Sequence, residues 1–273
     1  MAHVEDQLQE LRRLIASFDS AIVAYSGGVD SALVLAVAHE QLGDRALGCI
    51  GLSPSYPKRE YEAAMEFASR LNVPVRTVAT QEHLNPSYTA NHSDRCFHCK
   101  SDLHTRLAAI RDAEKWSVIL DGTHAGDLSD HRHGITAARQ NNVHSPLAEL
   151  GIDKPQVRAI SRLLNLVVWD KPAMACLSSR IPTGTPVTEA ILRQIERAED
   201  ALVDLGFRQF RVRHHGDLAR IELRQNDLLR AFEHRDQLVA TIRATGYKHV
   251  TLDLAGFRTE EPIETVPLTI RGS

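Results

Sequence analysis

The sequence predicts an α/β protein, a doubly wound parallel sheet followed by a smaller α+β unit. Short apolar runs that read as buried strands alternate with helical periodicity up to Trp169. The first run breaks at Ser26-Gly27-Gly28, a turn that opens a helix, and a Pro/Gly-rich passage later separates off a stretch of different pattern. A length of 273 residues accommodates one full α/β domain and a smaller partner.

An amphipathic opening helix carries Leu8, Leu11, Leu14 and Ile15, and the run Ala21 to Tyr25 reads as a buried strand. Ser31 to Leu42 follows as a helix. Strand signals recur at Ala46–Gly51, Val73–Ala79 and Ser117–Asp121, with helices expected over Arg59–Leu71, Lys100–Arg111 and Lys154–Leu164. Leu166 to Trp169 reads as one more short strand. The passage from Lys171-Pro172 to Gly184-Thr185-Pro186 is the expected boundary, giving domains 1–184 and 185–273. Beyond it the pattern is a helix (Thr188–Leu205), two strands (Arg208–His214, Ala219–Leu223), a helix (Asp236–Thr245) and a strand (His249–Leu254), and Thr259 to Ser273 reads as a loosely held tail.

Composition excludes little but weights much. Hydrophobic residues at 43% and charged residues at 25% describe a chain able to bury a substantial core. A net charge of -3 gives no global attraction to nucleic acid. The N-terminus mixes acids and bases and no apolar run spans a bilayer, so a cytoplasmic protein with no membrane partner is expected. Four cysteines are too few for a secreted disulfide framework, and Cys96-Phe97-His98-Cys99 then suggests metal or redox chemistry.

In a doubly wound sheet, ligands sit beyond the carboxyl ends of the strands, where Ser26, Ser53 and Asp121-Gly122-Thr123 would all emerge. The turn from Ser26 to Ser31 can present backbone N–H groups at a helix N-terminus, which suits phosphate. It lacks the lysine of the G-x-x-x-x-G-K-[ST] pattern, which favours pyrophosphate over ordinary γ-phosphoryl transfer. Read blandly, Gly-Gly makes a tight turn and Ser31 or Asp30 caps the helix. Cys96, Cys99 and Cys176, if brought together, would hold three irons of a four-iron cluster and leave the fourth free for sulfur. Zinc with His92 or His98, or a plain pair of helix-start thiols, are the competing readings, and Cys49 reads as a core residue.

The hexapeptide Ser26 to Ser31 resembles the PP-loop of the ATP pyrophosphatase superfamily, a Rossmann-like fold. Taken with Asp121-Gly122-Thr123, Arg139, Ser145-Pro146-Leu147, Trp169-Asp170-Lys171-Pro172 and Ala175 to Pro182, the chain is similar to the LarE family over nearly its whole length. That family comprises ATP-dependent sulfurtransferases that convert pyridinium-3,5-biscarboxylic acid mononucleotide to its dithiocarboxylic form, a precursor of the nickel-pincer nucleotide. The resemblance implies an ATP site with magnesium made by Ser26, Gly27, Gly28, Asp30, Ser31, Ser53, Gly122, Thr123 and Arg139. It implies Cys176 as the catalytic thiol and Cys96, Cys99 and Cys176 as ligands of a 4Fe-4S cluster, with the Cys176 sulfur itself as the sacrificial alternative. Arg211, Arg213 and Arg180 would grip the substrate phosphate, Glu199 and Glu222 are the acidic candidates, and a homo-oligomer is expected. Without the family, Arg211 and Arg213 read as a basic strand edge and the two acids as solvent-facing carboxylates. The rival functions are a tRNA thiolase with an iron-sulfur cluster, an amide-forming ligase such as NAD or GMP synthetase, and a non-catalytic nucleotide sensor.

Overall fold

The computed structural model describes residues 2–128, 143–172 and 175–257. They fall into two compact units that divide between Arg193 and Gln194. Arg139 and the tail from Thr259 lie outside the described residues.

The first unit is built on five parallel strands, β1 (Ala21–Ala24), β2 (Ala46–Leu52), β3 (Val75–Ala79), β4 (Val118–Leu120) and β5 (Val143–His144), in the order β3-β2-β1-β4-β5. The chain winds outward from β1 to β3 and then returns to the far side of β1. The switch point therefore lies between the carboxyl ends of β1 and β4, where α/β sheets place their ligands. Strand alternation sorts the two faces. Ala21, Val23 and Tyr25 join the core around helix α2 (Val29–Leu42), while Ile22 packs with Cys49, Ile119 and Leu107 of a helix on the opposite face. Helix α2 is apolar nearly all round, with Ala32, Leu33, Val34, Leu35, Val37 and Ala38 fully buried. That composition fits a central helix covered by α1 (Ala2–Ala16), through Leu8, Leu11 and Ile15, and by the helix at Lys154–Leu163, through Val157 and Ile160.

The remaining helices of this unit are α3 (Lys58–Arg70), the single-turn α4 (Pro86–Thr89), α5 (Arg95–Glu114), the single-turn α6 (Pro146–Glu149) and α7 (Lys154–Leu163). Helix α5 starts five residues before the expected Lys100, so the Cys-x-x-Cys occupies its first turn. The expected strand over Leu166–Trp169 is instead a pair of turns. Asn165 adopts φ 54°, Leu166 N–H donates to Ser161 O at 2.9 Å, and the N–H groups of Trp169 and Lys171 close turns onto Leu166 and Val168. With Val167 60% and Trp169 37% exposed, the apolar run has no sheet to join.

The second unit takes in most of α8 (Glu189–Asp204), then β6 (Phe210–His215), β7 (Leu218–Leu223), α9 (Gln225–Glu233), α10 (Arg235–Ala244) and β8 (His249–Leu252). Its sheet runs β6-β7-β8, antiparallel then parallel, over a core of Leu202, Phe207, Val212, Ile221, Leu238, Ile242 and Tyr247. Helix α9 is an element that the sequence pattern missed.

Candidate active site

The turn after β1 is tied by its own serines. Ser31 Oγ accepts from Ser26 N–H at 3.1 Å, lies 3.0 Å from Ser26 Oγ and donates to Gly28 O at 3.2 Å. Gly27 sits at φ +67°, and a Cβ there would meet Ala64 Cβ at 2.8 Å, so only glycine fits both the conformation and the space. Gly28 precedes α2 and gives its first N–H groups no side-chain cap, at the positive end of the helix dipole. Ser31 is thus a brace of the loop, and the helix-capping reading of Ser31 and Asp30 does not hold.

Gly122, just past β4, packs against this turn so closely that a Cβ would stand 2.5 Å from Ser31 N and 2.9 Å from Asp30 C. Its neighbour Asp121, 6% exposed, accepts from Thr123 N–H and Oγ at 3.0 and 2.8 Å and from Ser145 Oγ at 2.8 Å, which sets the path of the backbone past the loop. Two lysines that sequence reasoning did not place reach the same loop. Lys154 Nζ lies 2.6 and 2.8 Å from the two Asp30 oxygens, and Lys171 Nζ lies 3.0 Å from Gly27 O and 2.8 Å from a Glu60 oxygen. Their separations of 124 and 144 residues along the chain hid both contacts.

Ser53 follows β2 and its hydroxyl lies 2.9 Å from Ser55 Oγ, which donates to Glu82 Oε1 at 3.3 Å. Glu82 is 2% exposed, with its other oxygen buried and unpartnered. The Ser55 carbonyl accepts from Leu177 N–H at 2.9 Å, next to Cys176. That loop is held further by Tyr88 and Ser178, whose hydroxyls are 2.6 Å apart, by Arg95 Nη1 donating to Ser178 O, and by Asn91 Nδ2 donating to Pro182 O and Thr185 O. Tyr88, Asn91 and Arg95 lie just before the Cys-x-x-Cys, so these bonds tie the Cys176 loop to the start of α5, and Cys99 feels the charges of both Cys176 and Cys96. Burial pushes the Cys99 thiol pKa well up, and the negative charges of Glu82, Cys176 and Cys96 push it further. Tyr88 is raised for the same reasons, by burial first and then by Cys176.

Cys96 is exposed, Cys99 and Cys176 half-buried, and Cys49 is a buried core residue whose thiol is pushed up to about 11 by burial. Among the described residues no group of three or more His, Cys, Asp or Glu is placed to hold a single metal ion. A single-ion zinc set with His92 or His98 therefore finds no support, and His98 instead lies 3.2 Å from Asp94. A four-iron cluster takes its thiolates on separate irons and does not require them to meet at a point. Cys96, Cys99 and Cys176 are thiols close enough for Cys99 to feel the charges of the other two, and thiolates are the donors that such a group takes.

Arg180 is 2% exposed and donates to the carbonyls of Ala175 and Cys176 at 2.7 and 3.2 Å, so its guanidinium shapes the Cys176 loop. In the second unit, Arg211 and Arg213 share one face of β6, alternating with buried Phe210, Val212 and His214. Arg213 makes a two-pronged pair with Glu222, at 2.9 and 3.1 Å, and Arg211 stacks 4.5 Å over the Phe257 ring. Neither acid faces solvent: Glu222 is 6% and Glu199 1% exposed, and Glu199 accepts from the Val212 N–H at 3.1 Å.

A family model described as NAD synthase matches residues 3–112, the part that carries the loop after β1. An uncharacterized protein of Synechocystis, slr1717, is 43% identical over 257 residues, covering 93% of this chain and 96% of that protein. The archaeal protein MJ0830 of Methanocaldococcus jannaschii is 26% identical over 87% of this chain and 90% of its own length. The pyridinium-3,5-bisthiocarboxylic acid mononucleotide synthase of Lactiplantibacillus plantarum is 32% identical over 268 residues, covering 97% of both chains. With a PP-loop at the sheet's switch point and a match to that synthase from end to end, the chain belongs to the LarE family of PP-loop enzymes.

Proposed function

We propose that the protein uses ATP to adenylate a carboxylate of pyridinium-3,5-biscarboxylic acid mononucleotide and then delivers sulfur to the acyl-adenylate. In the first step the carboxylate oxygen attacks the α-phosphorus and pyrophosphate leaves. In the second, a sulfur nucleophile attacks the acyl carbon and AMP leaves, giving the thiocarboxylate. The observation that carries this reading is the pairing of an uncapped helix at a serine-braced Gly-Gly loop with a Cys176 loop that the Ser55 and Tyr88 hydrogen bonds fasten in place.

The open N–H groups at the start of α2 hold the phosphates, Ser26 and Ser31 fix the loop, and Gly122 allows the β4 backbone to close on it. Asp30 is the carboxylate suited to magnesium, and Ser53, Thr123 and Arg139 are assigned to the nucleotide on the family resemblance. Arg211 and Arg213 of the second unit are assigned to the substrate phosphate, with Glu222 fixing the Arg213 fork and Glu199 fixing the strand that carries it. Arg180 fixes the Cys176 loop. Cys96, Cys99 and Cys176 would hold a 4Fe-4S cluster, which when bound supplies an iron with no protein ligand where an extra sulfur is carried. The protein acts in the cytoplasm as a homo-oligomer without nucleic acid, and the donor that restores its sulfur is unknown.

Anaerobic purification with iron and acid-labile sulfide assays, followed by incubation with ATP, magnesium and the biscarboxylic mononucleotide, tests the reading through the masses of product and polypeptide. Thiolated product over several turnovers, with AMP and pyrophosphate formed and Cys176 intact, is the expected result. A single turnover that leaves Cys176 lighter by hydrogen sulfide replaces the cluster with the sacrificial thiol. No product, with thiolation of tRNA instead, overturns the substrate assignment.

A further inference from the structure

The Lys154 ammonium covers both oxygens of Asp30, the carboxylate that the nucleotide loop offers to a divalent cation, at 2.6 and 2.8 Å. The lysine is not a loose surface group. It occupies the first turn of α7, which is fixed by a capping box in which Asp153 accepts from Gln156 N–H at 3.0 Å and Gln156 accepts from Asp153 N–H at 2.7 Å. Its side chain is 30% and that of Asp30 23% exposed, so the pair stands partly out of water. A divalent cation and an ammonium cannot share the same two oxygens without strong repulsion. The loop itself has no lysine, while ATP brings several negative charges beside Asp30.

We propose that Lys154 is an exchangeable cation of the nucleotide site: it holds Asp30 while the site is empty, yields it to the divalent ion arriving with ATP, and turns to the nucleotide phosphates. The inference rests on the nucleotide reading of the loop given above. Lys171 differs, since its ammonium is anchored to Glu60 and to Gly27 O and stays as a structural support of the loop. Exchange makes metal and nucleotide bind as a pair. Alone, the metal must displace an ion pair; with ATP present, the displaced ammonium finds a better partner, and the coupling is reciprocal.

Lys154→Gln and Lys154→Arg test this, with Mn2+ as the probe of the metal site, followed by electron paramagnetic resonance without nucleotide, and calorimetry for ATP with magnesium. Circular dichroism checks the fold of each variant. Lys154→Gln is expected to bind Mn2+ alone about threefold or more tighter than the native chain, because the competitor is gone, and Mg·ATP about tenfold weaker. Lys154→Arg is expected to stay within about twofold of native on both. The double variant Asp30→Asn with Lys154→Gln is expected to lose the Mn2+ gain, which ties it to this carboxylate. Weaker ATP binding with no gain in Mn2+ affinity makes Lys154 a fixed phosphate ligand and overturns the exchange. Native ATP affinity in Lys154→Gln overturns it as well. If the native chain binds neither Mn2+ nor ATP, the nucleotide reading itself falls and takes the exchange with it.

Discussion

Replacing Gly122 by alanine tests the contact on which the nucleotide loop depends. A Cβ at this position would stand 2.5 Å from Ser31 N, 2.9 Å from Ser31 Cα and 2.9 Å from Asp30 C. Ordinary contact between such atoms is about 3.5 Å, so one backbone must retreat by about 1 Å. Every neighbour in question is main chain, so no rotamer change relieves the clash. Gly122 is not among the positive-φ residues, and an alanine with room around it would stabilise by about 0.4–1 kcal/mol. The clash reverses the sign. Overpacking of this kind costs about 1–3 kcal/mol, and the part absorbed by moving Ser31 and Asp30 is lost from phosphate binding, so ATP affinity is expected to fall about tenfold or more. Gly216→Ala is the control: its φ is +63° with nothing within 4 Å, so it should lose about 1–2 kcal/mol and leave ATP binding unchanged. Urea unfolding gives the stability and calorimetry the ATP affinity. A Gly122→Ala protein that binds ATP like the native chain would refute the reasoning, whatever its unfolding midpoint.

Three further outcomes follow from burial and hydrogen bonding. Cys49 has a folded pKa pushed up from 9.0 to about 11, so its contribution to stability is complete below pH 9 and declines as pH rises toward 11. The decline is about 2–3 kcal/mol at full extent, of which about half is reached by pH 10, one unit below the folded value of about 11, and Cys49→Val should remove it from a urea midpoint followed between pH 8.5 and 10. Glu199→Ala leaves the Val212 N–H without its acceptor in a buried site and should cost about 1–3 kcal/mol by thermal unfolding, a figure that Glu199→Gln should largely recover. Asn91→Ala removes the donors to Pro182 O and Thr185 O and should raise the alkylation rate of Cys176 several-fold, while Cys49 stays unreactive; an unchanged Cys176 rate would show that Asn91 does not hold the loop.

Most of the fold was legible because local patterns carry it. Ala21 to Tyr25 is apolar and short, Ser26-Gly27-Gly28 breaks it, and the strand, loop and helix stand where that pattern puts them. Leu166 to Trp169 misled because an apolar run is ambiguous by itself, and here Asn165 at φ 54° turns the chain back before any strand can form. Helix α9 was missed because Gln225-Asn226-Asp227 looks like a turn, although Leu228 and Ala231 pack one turn later. At the site, the loop from Ser26 to Ser31 could be read directly. The pairing of Lys154 with Asp30, the anchoring of Lys171 and the inward turn of Arg180 could not, since each depends on packing between segments or within a loop that no periodicity encodes.

Ser55 makes a joint between loops of the first unit. Its hydroxyl leans toward Ser53 on one side and Glu82 on the other, and its carbonyl holds Leu177 beside Cys176. Whatever displaces Ser53 is therefore felt one residue away from Cys176, through hydrogen bonds alone. On the proposed reading, a change at Ser53 that retunes the nucleotide would also shift Cys176, and the two halves of that reaction would have to be altered together.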